Sequence, residues 1–135
     1  MRKNAGFTLI ELMVACVIIA ILISVAIPSY RDMHERAKAS KALATLDSIR
    51  TAESIFRDRD VNQTFTNNLA TLRGVNPFPT NAEDGDWAYT IPSVTARTYT
   101  IRATRTGGAH NGSRIEMNET GDVSVNGDTD QTWPP

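Results

Sequence analysis

Glu11 is the residue of this sequence with the strongest demand for a chemical partner. It is the one charged side chain in an apolar run from Phe7 to Ile27, which reads FTLIELMVACVIIAILISVAI. At helical rise the run is about 31 Å long, which is enough to cross the apolar core of a bilayer. A carboxylate in such a segment costs roughly 3 kcal/mol at mid-membrane depth and less near an end. The pattern therefore predicts a partner that brings a positive charge to Glu11.

The residues before the apolar run set its expected orientation. Arg2 and Lys3 precede it, and basic residues at that place favour a cytoplasmic N-terminus with the following head outside. The run is longer than the apolar part of an ordinary export signal, and no small-x-small cleavage site follows it. On hydropathy alone, the run is a plain N-terminal membrane anchor.

Three details around the run indicate more than an anchor. A small residue, Gly6, separates the basic leader from Phe7; Glu11 would be the fifth residue after a cut behind Gly6; and Pro28 ends the run. Together these residues resemble the type IV prepilin signature, which is shared by type IV pilins, minor pilins and the pseudopilins of type II secretion. The resemblance is close over about the first thirty residues and general over about the next thirty.

The resemblance implies a route of processing and assembly. A prepilin peptidase would cut between Gly6 and Phe7 and would methylate the new amino group of Phe7. Glu11 would then face the positively charged N-terminal amine of a neighbouring subunit. An unpaired buried carboxylate is costly, whereas a carboxylate that faces an ammonium group in a low dielectric is strongly attracted to it. A subunit inserted in the correct register would therefore pair its Glu11 charge. The alternative is a Glu11 that lies near the lipid headgroups and is simply hydrated.

The expected fold is α+β, the ladle of type IV pilins, in which a long N-terminal helix packs on an antiparallel sheet of about four strands. Pro28 is expected to kink the helix or to form a flexible joint. The expected parts are a cleaved leader (1–6), a hydrophobic membrane and filament-core helix (7–28) and a globular head (29–135). The expected parts of the head are an amphipathic helix (29–59), a connecting loop (60–85), the sheet (86–125) and a C-terminal tail (126–135).

The amphipathic pattern predicts that the membrane helix continues into the head as one helix of about fifty residues, far above the usual length. Apolar residues recur at three- and four-residue spacing at Ala39, Ala42, Leu43, Leu46, Ile49, Ala52, Ile55 and Phe56. Opposite charges at i,i+4 spacing, including Arg31–Glu35 and Glu53–Arg57, are assigned to the solvent face.

The second half of the chain carries four strand signals and one helical signal. The strands are expected at Asp86–Ile91, Thr98–Thr104, Arg114–Met117 and Asp122–Val125, and a short helical turn is expected near Asn67–Leu72. In the second strand, Tyr99, Ile101 and Ala103 share a face. Trp133 is expected to dock on the sheet and to hold the tail.

Other residues that could bind a metal or act in catalysis give weaker signals. Asp122, Asp128 and Asp130 could contribute to a calcium site, but their spacing is not that of a known calcium loop. His34 and His110 have no second ligand at metal spacing and no nucleophile in sequence proximity. We therefore expect no metal, no cofactor and no enzymatic activity.

Net charge and cysteine content argue against further classes of protein. A formal net charge of −1 gives no support for a general nucleic-acid binder, so direct nucleic-acid binding is not expected. Cys16 is the single cysteine, so an intramolecular disulfide cannot form. Four arginines near the strands are interpreted as a solvated sheet face balanced by acids: Arg97, Arg102, Arg105 and Arg114.

The sequence therefore predicts a structural subunit of a bacterial type IV pilus, a filament used for adhesion, twitching motility or DNA uptake. The expected partners are copies of the same chain, minor pilins, a prepilin peptidase that is also an N-methyltransferase, and an inner-membrane assembly platform. The expected location is a single pass of the inner membrane with the head in the periplasm, followed by the cell-surface pilus. Two alternatives stay open, a pseudopilin of a type II secretion system and a single-pass anchored binding domain that never polymerises.

Overall fold

One long helix, α1, organises the structure, a computed structural model that describes residues 6–108 and 110–126. It spans Leu9–Arg59, 51 residues, and confirms the single long helix expected from the sequence. Asp60 caps its C-terminal end, and the N–H of Asp60 donates to the carbonyl of Phe56 at 2.9 Å. The bounds of α1 include Pro28, and the kink expected there stays a prediction.

Two short helices and one four-stranded sheet follow α1. The strands pair antiparallel in the order β1-β2-β3-β4. A long helix packed on this sheet confirms the α+β ladle. Residues 127–135, including Trp133, lie outside the described part of the chain. The remaining elements are α2 (Leu69–Val75), α3 (Asn81–Asp84), β1 (Trp87–Val94), β2 (Tyr99–Arg105), β3 (Arg114–Asn118) and β4 (Val123–Val125).

The segment between α1 and the sheet holds both short helices. Asn68 caps α2, where the sequence indicated a helical turn, because its Oδ1 accepts from the N–H groups of Ala70 and Thr71. The helix α3 is not among the predicted elements. Its start carries a capping box, in which Thr80 and Glu83 each satisfy a backbone N–H of the other. That S/T-x-x-E spacing is the sequence signal for α3.

Strand β1 continues past the point where Pro92 was expected to end it. Its register with β2 shifts between Thr90 and Ser93, which is where the proline lies. Proline has no N–H to donate to a neighbouring strand, and an irregularity on an edge strand accommodates it. The strand therefore ends at Val94 instead of Ile91.

The core lies between the head half of α1 and one face of the sheet. Ala39, Ala42 and Ala52 are at most 1% exposed, so the helix approaches the sheet closely along a line of small side chains. The sheet contributes alternate residues, as a half-buried sheet must, and this confirms the shared face predicted for β2. The buried sheet residues include Trp87, Tyr89, Ile91, Tyr99, Ile101, Ala103, Ile115 and Met117.

Two charged residues that the sequence placed at the surface are buried. Glu53 is 0% exposed and does not pair with Arg57, which donates its Nε to the carbonyl of Gln63 instead. Arg105 is 3% exposed on the core-facing side of β2. Both expectations of solvated charges were wrong, because they followed the residue type: Glu53 comes four residues after the buried Ile49 and Arg105 two residues after the buried Ala103, so both positions lie on buried faces.

Candidate functional site

The chain enters α1 through a capping box built by Thr8 and Glu11. The hydroxyl of Thr8 accepts from the N–H of Glu11 at 3.3 Å. In return, Oε2 of Glu11 accepts from the N–H of Thr8 at 2.9 Å and from its hydroxyl at 2.8 Å. Two backbone donors at the helix start are thereby satisfied, and the carboxylate is oriented toward the N-terminal end of the helix. The Thr-x-x-Glu spacing signals this role, which the charge argument alone missed.

Gly6 and Phe7 lie before the helix, where the resemblance places a processing site. Phe7 is 87% exposed. A Cβ built on Gly6 would meet no atom within 4 Å. The fold of this chain therefore does not itself require a small residue at position 6, so any such requirement must come from a partner that handles the segment.

The first half of α1 presents an apolar surface that nothing in the described chain covers. Leu9–Ile27 is long and apolar enough to cross a membrane, and its mean hydropathy is 2.9. None of this segment is buried against the rest of the described chain. A shallow groove on this surface is lined by Phe7, Ile10, Val14 and Ile18, with Glu11 among them. An exposed apolar surface of this extent marks a site of contact with lipid or with other helices.

An ion-pair network around Arg105 fixes the head on α1. Its guanidinium donates to the Asp86 carbonyl and to Asp86 Oδ1, both at 2.8 Å, and lies 3.3 Å from Glu35 Oε1. Lys38 lies 3.2 Å from the same Asp86 oxygen. Partial burial pushes the pKa of Asp86 upward, but the hydrogen bonds from Lys38 and Arg105 bring it below its usual value. Glu35 thus pairs with Lys38 and Arg105 and not with Arg31, its predicted partner.

A second set of polar contacts ties strand β1 to the same stretch of α1. The indole N–H of Trp87 donates to the Lys38 carbonyl at 3.0 Å. The buried carboxylate of Asp84 accepts from the Tyr89 hydroxyl at 2.7 Å and pairs with Lys41 at 3.2 Å. These contacts set the orientation of the sheet on the helix, and therefore the direction of the head relative to the apolar segment.

One of the three weak metal candidates, Asp122, lies in the described part of the chain. Asp122 is exposed in the β3–β4 turn, where its Oδ2 accepts from Thr120 and Asn118, and these hydrogen bonds hold its pKa below the usual value. Asp128 and Asp130 lie outside the described residues. Among residues 6–108 and 110–126, no group of three or more His, Cys, Asp or Glu side chains could hold a metal ion.

A family profile supports the N-terminal segment as the functional site. The profile described as "Prokaryotic N-terminal methylation motif" matches residues 1–27. The matched range contains Gly6, Phe7 and Glu11, together with most of the exposed apolar helix.

Three relatives extend the comparison. The type II secretion system core protein G of Vibrio cholerae is 34% identical over 95 residues, 68% of this chain and 65% of that protein. The type IV major pilin protein PilA of Myxococcus xanthus is 41% identical over 68 residues, 50% of this chain and 31% of that protein. These two matches therefore span less than two thirds of each relative's own length.

The third relative is matched over most of both chains. The type IV wide pilus major component PilA4 of Thermus thermophilus is 35% identical over 111 residues, 80% of this chain and 79% of that protein. A match of this length extends far beyond the N-terminal motif into the head. Together with the α+β ladle, it shows that the chain belongs to the type IV pilin family.

Proposed function

We propose that the chain is a structural, non-enzymatic subunit of a type IV pilus that polymerises through Leu9–Ile27. The observation that carries this proposal is an exposed apolar helix with one carboxylate in its first turn. Such a surface needs partners of the same kind, and copies of the same helix supply them. The names of the Thermus and Myxococcus relatives, a pilus component and a major pilin, support the same assignment.

The assembly step follows from the geometry of Glu11. Cleavage between Gly6 and Phe7, followed by methylation of Phe7, leaves a cationic N-terminus directly before the helix. In the single chain, the capping hydrogen bonds use Oε2 of Glu11. The ammonium of a neighbouring subunit approaches Oε1, so the capping box orients the carboxylate while one oxygen stays available. In a low dielectric this pairing favours one register of the incoming subunit relative to its neighbour in the filament.

The remaining partners and the location follow from this role. A prepilin peptidase with N-methyltransferase activity processes the leader, and an inner-membrane platform inserts the subunit into the filament together with minor pilins. Before assembly the chain spans the inner membrane once, with a cytoplasmic N-terminus and a periplasmic head. Afterwards it lies in the surface pilus, where Pro28 acts as a joint that lets subunits pack at different tilts.

The second candidate is a pseudopilin of a type II secretion system. The Vibrio relative, a core protein of such a system, supports it. Shearing of cells distinguishes the two candidates, since a surface pilus is recovered in the sheared fraction and a periplasmic pseudopilus stays with the cells. Secretion of exoproteins that persists when the gene is deleted argues for the pilus, and loss of that secretion argues for the pseudopilin.

The charge-pairing step is tested with two variants that separate pairing from capping. Glu11→Gln removes the charge but keeps a side chain that can accept from Thr8. Thr8→Val removes the hydroxyl of the cap but keeps the carboxylate. We expect Glu11→Gln to abolish sheared filaments while processed subunit accumulates in the membrane, and we expect Thr8→Val to retain them. Filaments in both variants, or in neither, would contradict the proposed role of Glu11.

A further inference from the structure

A cleft of about 290 Å³ lies at the far end of the head, and the proposed function does not use it. The last turns of α1 form one wall, and the β1–β2 and β3–β4 turns form the other. Its volume is at the lower limit for ligand pockets, which suits a single small ring. Arg57 on its wall lies about 45 Å along the helix from Ile27, so lipid headgroups around the apolar segment are out of reach.

Three guanidinium groups line the cleft from two sides. Arg50 and Arg57 lie seven residues apart, two turns along one face of α1, and Arg97 comes from the β1–β2 turn. Within the described residues, neither Arg57 nor Arg97 forms an ion pair with an acid. Two guanidinium groups on opposite walls of one cleft, neither of them in an ion pair within the described residues, are suited to an anionic group between them.

The two helix arginines are held in place before any ligand arrives. Arg50 is bonded to Asp47 at 3.2 Å, and its guanidinium also lies against Gly121, where a Cβ would come within 3.3 Å. Arg57 donates its Nε to the Gln63 carbonyl at 3.2 Å and lies 5.0 Å from the centre of the Phe65 ring. Among the described residues, no hydrogen bond uses the terminal nitrogens of Arg57, and a pre-positioned donor loses little entropy on binding.

The same cleft also carries acceptors and an apolar wall. Asp58 and Glu119 line it beside the arginines, and Glu119 is held near the start of β2 by the N–H of Tyr99 at 3.4 Å. The Phe65 ring packs edge-on against Tyr99 with ring centres 4.6 Å apart. Carboxylates accept from hydroxyl groups, and guanidinium groups bind carboxylates in a bidentate fork. The lining is therefore suited to a ligand that has both hydroxyl groups and a carboxylate on a small ring.

We propose that this cleft binds an acidic saccharide, with the sugar carboxylate held by Arg57 and Arg97 and the hydroxyl groups held by Asp58 and Glu119. A nucleic acid is disfavoured, because its phosphates would approach the two acids and gain nothing from them. The inference does not depend on polymerisation, so it is tested on the unassembled chain and its failure leaves the pilus proposal unaffected.

The test is a titration of the full-length chain in detergent micelles. The probes are trigalacturonate and sialyllactose, with the methyl ester of trigalacturonate and a short oligothymidylate as comparisons. We expect saturable binding of at least one acidic saccharide, weaker binding of the ester, and no comparable binding of the oligonucleotide. Arg57→Gln and Arg97→Gln should each weaken binding about ten-fold or more, because each removes a charge-assisted contact.

Two further variants separate a saccharide site from a general basic surface. Arg59→Gln removes the same charge two residues away but outside the cleft, and it should leave binding unchanged. Asp58→Asn should weaken binding of the saccharide, since it replaces a charged acceptor of hydroxyl groups with a neutral and weaker one. Unaltered melting temperatures check that each variant folds. The proposal is overturned if neither saccharide binds at millimolar concentration, if the ester or the oligonucleotide binds as tightly, if Arg59→Gln has an equal effect, or if Asp58→Asn strengthens binding.

Discussion

Glu53 and Arg105 represent two different ways of burying a charge at the level of single residues. Arg105 is neutralised by Asp86 and Glu35 at hydrogen-bonding distance. Glu53 has one hydrogen bond, from the N–H of Thr66 to Oε2 at 3.1 Å, and its other carboxyl oxygen is buried without a partner among the described residues. The first arrangement stabilises the charged form, whereas the second opposes it.

The burial of Glu53 predicts a pH-dependent stability of the head. Burial raises its pKa to about 7 from an ordinary 4.5, an effect that the Thr66 hydrogen bond only partly offsets. The folded state therefore binds more protons, and the free energy of unfolding falls by roughly 3 kcal/mol as the pH rises from about 4.5 to 7 and then levels off. Glu53→Gln should remove this fall and raise the melting temperature at pH 8.

Thermal unfolding of the full chain in detergent between pH 4 and 8.5 measures this dependence. Asp58→Asn on the same helix is the control, because it removes an exposed charge, and its profile should retain the wild-type slope in this range. A wild-type profile that is flat between pH 5 and 7 would rule out the role given to Glu53.

The buried ion pairs of Arg105 predict a large effect of a single substitution. Arg105→Met removes the cation and leaves Asp86 and Glu35 partly buried without it, which should cost about 3–5 kcal/mol of unfolding free energy. Arg102→Met is the matched control on the same strand, since the Arg102–Glu116 pair is more exposed and should contribute about 1 kcal/mol or less. Urea unfolding compares the two, and equal losses would contradict the structural role of the Arg105 network.

At the scale of elements, the contact of α1 with the sheet depends on small side chains. Ala42 is 0% exposed on the helix face that meets the sheet, whereas Ala44 is exposed on another face. Ala42→Leu should therefore overpack the interface and lower the unfolding free energy by about 1–3 kcal/mol. Ala44→Leu adds the same atoms at an exposed position and should change stability by less than about 0.5 kcal/mol. Chemical denaturation of both variants tests the packing.

The helices and strands also show which parts of the fold could be predicted from the sequence and which could not. The helical period and the alternation in β2 depend on local spacing, so α1 and the buried face of Tyr99, Ile101 and Ala103 were predicted correctly. Glu53 and Arg105 follow the same two patterns, four residues after Ile49 and two residues after Ala103, but their burial was missed because charged residues were assigned to solvent. At the N-terminus the charge argument identified Glu11 but missed its hydrogen bonds with Thr8, which the Thr-x-x-Glu spacing signals and the structure shows.

At the scale of the whole molecule, the proposed function makes processing at the N-terminus the step on which assembly depends. Gly6→Phe should block removal of residues 1–6, although a Cβ at this position would meet no atom of the described chain within 4 Å. The expected result is an unprocessed protein with a folded head and no filaments. Intact-mass measurement of the membrane fraction shows the leader directly, and near-ultraviolet circular dichroism checks the fold. A variant that is processed normally would show that the cut lies elsewhere.

The irregularity around Pro92 has a consequence for any state in which many heads are crowded together. An exposed sheet edge is a template for strand pairing between molecules, and β1 is the longer of the two edges of this sheet. The proline removes a donor from that edge and the register shift interrupts its regular pairing pattern. The opposite edge, β4, has only three residues. Pro92 and the shortness of β4 therefore both disfavour aggregation of crowded heads through β-strand addition.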